Sequence, residues 1–246
     1  MNFNHIPKSP LVAAAAAGFL GFALRALLYR VGFDERGILS DTHPLHLLCL
    51  VLTGVATLYA AFLSLKNSIL SRPHPTLRFL LGLMGGYFLA IHTLTLFSRN
   101  MGPLELLRFI LTALSAISMV LSVLPFLKKG RILLICLGLI SICFALDILC
   151  RYRSWSGNPQ LPDYFFHLLA GVALNLGSYH TLALHTGLAK PRVQSFYCLI
   201  AMFLCLLCLV GPDPWEFYLG SAFWAAACVL TPQPEDHPQE ESDVPA

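Results

Sequence analysis

The stretch Ile132–Cys150, ILLICLGLISICFALDILC, decides the fold. It carries a single charged side chain, Asp147, in a run close to the roughly 20 residues that a helix needs to cross about 30 Å of hydrocarbon. Runs of the same kind lie on either side: Pro10–Val31, Pro44–Leu65, Leu77–Ser98 and Pro103–Leu127 before it, and Leu161–Leu188, Val193–Val210 and Trp215–Leu230 after it. Short segments with Pro, Gly or charge separate them, as helix boundaries require.

Composition agrees. Hydrophobic residues make up 57% of the chain and charged residues 12%, too apolar for one soluble core to conceal. The chain reads as an all-α, polytopic transmembrane bundle of about eight helices, one membrane domain over residues 1–230. The alternative is seven spans plus a short last helix, because Gly211-Pro212-Asp213-Pro214 breaks the pattern and Trp215–Leu230 is short for a crossing. The tail 231–246 is acidic and Pro-rich and reads as disordered. At the other end, the alanine triplets of Ala13–Ala17 precede Arg25 and Arg30, so the first run reads as an uncleaved span.

The basic residues divide by side. Lys8, Lys66, Arg72, Arg78, Lys128, Lys129, Arg131, Lys190 and Arg192 fall on the face of the N-terminus; Arg25, Arg30, Arg36, Arg99, Arg108, Arg151 and Arg153 fall on the other. This excess places the N-terminus in the cytoplasm, with the plasma membrane as the expected location. The acids outside the tail (Asp34, Glu35, Asp41, Glu105, Asp147, Asp163, Asp213 and Glu216) all gather on the second face or in the helix ends beside it. A polar site is therefore expected at the extracytoplasmic end. The basic residues form no nucleic-acid footprint.

Helical periodicity sharpens this. His46, Thr53, Thr57 and Ser64 share a face of the second run; Glu105, Arg108, Thr112, Ser115 and Ser122 share one in the fourth; Asp163, His167, Gly171, Ser178, Thr181 and His185 line the sixth. Ala14, Gly18, Gly21 and Arg25 do so in the first, and Gly82, Gly86 and Thr93 in the third. Small and hydroxyl residues in such stripes serve helix packing. Charged groups in lipid cost several kcal/mol and must face the bundle and pair. Arg25 and Asp147 lie at comparable depth and are expected to form a salt bridge, with Glu105 as an alternative partner for Arg25 and Arg151 as an ordinary one for Asp147.

The candidate polar vestibule is Arg25, His46, His92, Glu105, Arg108, Asp147, Asp163 and His167. These are the residue types of acid–base and metal chemistry, but no HExxH, paired-aspartate or nucleophile motif accompanies them, and no metal or other cofactor is expected. The Cys205–Cys208 pair and the sevenfold repeat Cys136, Cys143, Cys150 read as small packing residues. Gly32–Pro44 and Arg151–Pro162 are polar outer loops, and Trp155, Tyr164 and Trp215 suit an interfacial aromatic belt. Three functions fit: a transporter, or a component of one, admitting a small polar or ionic solute; a membrane-embedded enzyme at the outer leaflet; or a non-catalytic sensor or assembly subunit. The lipid bilayer is the one partner that composition demands. Catalysis has no motif to support it, and transport leads.

Overall fold

The computed structural model describes residues 10–32, 43–65, 75–97, 102–124, 130–155, 164–211 and 213–231. Much of the two outer loops, Asp163, Pro212 and the tail 232–246 lie outside the described residues. Eight helices follow one another: α1 (Pro10–Val31), α2 (Pro44–Leu65), α3 (Pro75–Phe97), α4 (Pro103–Val123), α5 (Arg131–Trp155), α6 (Phe165–His185), α7 (Pro191–Leu207) and α8 (Trp215–Val229). The chain is an all-α bundle of the membrane type.

Proline opens α1, α2, α3, α4 and α7, where its fixed φ suits the first turn and its missing N–H has no helical partner to lose. α1 to α5 are each long and apolar enough to cross a membrane. α6 has similar length but carries His167, Asn175, His180 and His185. α7 and α8 are shorter, and α8 rises only about 22 Å.

The two short helices occupy the middle. α3, α4, α5, α6, α7 and α8 each pack on the next, α8 closes the ring on α3, and α1 and α2 lie against the outer side of α7. Most of α7 and α8 is buried, whereas α2 presents Leu47, Leu48, Val51, Val55, Leu58, Tyr59 and Phe62 outward. That arrangement inverts a soluble fold, as expected where lipid solvates the outer apolar faces.

Small residues set the closest contacts. A Cβ on Gly220 would stand 2.9 Å from the Gly85 carbonyl oxygen, so α3 and α8 cross backbone to backbone. Gly18 and Gly21 receive Leu206 and Leu207 of α7. The hydroxyl stripes turn inward on their own helices: Thr53 donates to the Cys49 carbonyl, Thr112 to Arg108, Ser178 to Leu174 and Thr181 to Gly177, at 2.7–2.8 Å. Packing thus accounts for these positions. The eight cysteines are all free thiols and seven are buried; Cys150 alone is partly exposed.

Candidate functional site: an ion-pair network under a polar pocket

The segment between α7 and α8 lies below the end of the bundle. Arg25 Nη1 donates to Cys208 Sγ at 3.5 Å, just beyond α7, while α1 continues from Arg25 to Val31, about 9 Å further. Non-helical backbone is tolerated at such depth only where protein covers it or a cavity borders it. Here both hold.

Asp147 is the centre of a charge network. Its Oδ1 accepts from Arg108 Nε at 2.9 Å and Nη2 at 2.5 Å, and its Oδ2 accepts from Arg151 Nε, one turn along α5. Arg151 Nη1 reaches onward to Tyr218 Oη at 3.0 Å and to Asp213 Oδ2 at 2.6 Å. Tyr218 donates to Asp213 at 3.1 Å, and His167 Nδ1 stands 2.7 Å from the same hydroxyl and 3.1 Å from Asp213 Oδ2. Arg151 also lies over the Phe217 ring, 4.4 Å from its centroid. Four helices and the α7–α8 segment are thereby joined through buried polar groups, so that each charge lost from water meets an opposite one.

Asp213 belongs to that segment, not to a span. Burial by itself would raise its carboxyl, but the Arg151 guanidinium, aided by His167, holds it well below the usual carboxylate range. Gly211, at φ +155°, sits against the His167 imidazole so closely that a Cβ there would collide with Nε2.

A cavity of about 540 Å³ opens at this end between α3, α4, α5 and the start of α8. His92, Arg108, Arg151 and Asp213 form its deep wall; Glu105, Cys150, Arg153 and Ser154 lie toward the mouth. Glu105 Oε2 accepts the Gly102 N–H at 2.6 Å, capping α4. In the bundle interior Leu89, Phe144, Leu174, Met119 and Ile140 are buried together with the hydroxyl side chains of Thr93, Thr112 and Ser115.

The expected vestibule is thus divided. His92, Glu105 and Arg108 line the pocket, and Asp147 bridges two of its arginines from behind. His167 and Arg25 are buried on the far side of the network, and His46 packs on Phe166 with ring centroids 5.7 Å apart. Asp163 lies outside the described residues.

The expected Arg25–Asp147 bridge is corrected. Both Asp147 oxygens are held by Arg108 and Arg151, while Arg25 bonds Cys208 and lies 5.3 Å from the Phe166 ring centroid. Similar depth could not tell which helices adjoin, and α1 packs chiefly on α7 and α2. Trp155 is likewise no lipid-facing belt residue; it is buried, stacked on Tyr164 with centroids 4.6 Å apart.

Sequence reasoning overlooked Asp213, Tyr218 and the pocket-facing role of Arg151. One signal was available: Asp213 between two prolines at a break in an apolar run, which marks backbone that must find polar company. Among the described residues, no group of three or more His, Cys, Asp or Glu side chains could hold a metal ion. Compared with models of known protein families, with curated proteins and with solved structures, the chain matches none.

Proposed function

We propose that this multi-pass membrane protein binds a small polar ligand in a pocket that opens on the extracytoplasmic face and ends inside the bundle. The observation that carries the reading is the cavity of about 540 Å³ lined by His92, Arg108, Arg151 and Asp213. That volume suits a small ligand. The surplus of Lys and Arg on the N-terminal face supports the orientation, with the N-terminus in the cytoplasm of a plasma-membrane protein. Recognition without chemistry, as in a sensor or a regulatory subunit, suits the arrangement best, since Asp147, Asp213 and Glu105 are each committed to structural partners.

A transport role is the second reading. The break between α7 and α8 at depth supports it, because discontinuous helices form the binding sites of many transporters. Transport would require the buried side chains around Leu89 and Phe144 to part.

Cys150 provides the test. It lines the pocket and is the one cysteine with partial exposure. A membrane-impermeant maleimide added outside intact cells should label wild type and leave Cys150→Ser unlabelled. Labelling only after the membrane is opened would reverse the orientation, and no labelling of the folded protein would refute the pocket. Transport further requires that His185→Ala, at the opposite end of α6, impair the same activity as a pocket substitution.

A further inference from the structure

The pocket's hydrogen-bonding capacity is one-sided. Each carboxylate already has a donor: Glu105 Oε2 accepts the Gly102 N–H, both Asp147 oxygens are held by Arg108 and Arg151, and Asp213 Oδ2 is held by Arg151 and Tyr218. The pocket's donors are not all so matched. Arg151 uses Nε and Nη1 within the network, yet Nη2 is buried without a hydrogen-bond partner. His92 is fully buried, packed edge-on against Phe217, and neither ring nitrogen has a partner. Both side chains line the cavity, and Arg153 stands exposed at its mouth. Buried donors left in this state call for an acceptor, and guanidinium suits a planar carboxylate or a phosphate.

We infer that the pocket is an oxyanion site, which takes the carboxylate or phosphate group of its ligand against Arg151 Nη2 and the His92 imidazole, with Arg153 drawing the anion in. The inference rests on the pocket reading above and names its ligand class. A cation is disfavoured because three guanidinium groups, of Arg108, Arg151 and Arg153, line the pocket against two carboxylates, of Glu105 and Asp213. A soluble ligand and a lipid headgroup entering at the mouth both present such a phosphate, and the chemistry of recognition is the same.

The test is the maleimide labelling rate of Cys150 in the purified full-length protein, with two sources of oxyanion. In detergent micelles, inorganic phosphate is compared with chloride at matched ionic strength and with calcium. In nanodiscs, phosphatidic acid in phosphatidylcholine is compared with phosphatidylcholine alone. At a phosphate concentration ten times its Kd the unoccupied fraction falls to about one in eleven, so labelling should slow about elevenfold. His92→Phe keeps the ring contact with Phe217 and loses both nitrogens; measured against its own rate without oxyanion, it should lose most of the protection. Arg153→Gln, at an exposed position, should weaken protection several-fold.

Protection by phosphate in micelles supports a soluble ligand, and protection only by phosphatidic acid supports a headgroup. Labelling that no oxyanion slows, equal slowing by calcium, or full protection retained in His92→Phe overturns the oxyanion site while leaving the pocket intact. Absence of labelling in the folded protein overturns the pocket and the inference with it.

Discussion

Replacing Asp147 by asparagine removes the one negative charge between two arginines. The side chain keeps its size and one acceptor oxygen, so the packing around it is preserved. Arg108 is then left with its carboxylate gone and its side chain 16% exposed, partly rescued by pocket water. Arg151, 5% exposed, retains Asp213 and Tyr218 but has no charge facing Nε. A single contact ion pair near 4 Å corresponds to about 4 kcal/mol at an effective dielectric of about 20, and breaking a buried pair by removing one partner costs about 3–5 kcal/mol. Solvation of Arg108 moves the expectation to the lower end, about 3 kcal/mol. The assay is unfolding in mixed micelles, followed by circular dichroism as the denaturing detergent fraction rises. Arg108→Gln and the double variant complete a cycle, and the double should be less destabilised than the sum of the singles by about 1–3 kcal/mol. A loss below about 1 kcal/mol for Asp147→Asn, or strict additivity in the cycle, would refute the claim that this network holds the helices together.

Other perturbations test separate parts of the structure. Tyr218→Phe deletes the hydroxyl shared by Arg151, Asp213 and His167 and should cost about 1–3 kcal/mol in the same unfolding assay. Gly220→Val forces apart the backbones of α3 and α8 and should cost about 1–3 kcal/mol, whereas Gly54→Val, where a Cβ meets nothing within 4 Å, should be close to neutral. Gly211→Ala combines a left-handed backbone with a collision at His167 and should cost about 1–3 kcal/mol; a neutral result would mean that the segment does not seat on the imidazole. The Asp213 carboxyl is depressed on folding, so its stabilisation is fully present above its ordinary value of 3.8 and is lost as pH falls through the folded value. The stability gap between wild type and Asp213→Asn should therefore stay constant from about pH 7 to pH 5 and shrink only below about pH 4. Shrinkage already above pH 5 would assign the effect to another group.

The sequence by itself determined the membrane class, eight helices and most of their limits, because hydrocarbon thickness and the demand for internal backbone hydrogen bonds act on each segment separately. Pro10–Val31 and Pro44–Leu65 were legible to the residue, since prolines and polar breaks mark their ends. Of the residues expected at one polar end, the structure brings His92, Glu105, Arg108 and Asp147 to one region, while Asp34, Glu35, Asp41 and Asp163 lie outside the described residues. Helix neighbours were not legible. Depth is a property of one segment, whereas pairing depends on which segments adjoin, and only the packed ring put Arg108 and Arg151 on Asp147 while sending Arg25 to Cys208 on the far side of α7. Tertiary structure also explained the short last helix. Its start lies inside the bundle so that Asp213 and Tyr218 can meet Arg151 and His167, a convergence of residues 46 to 67 positions apart that no local pattern encodes.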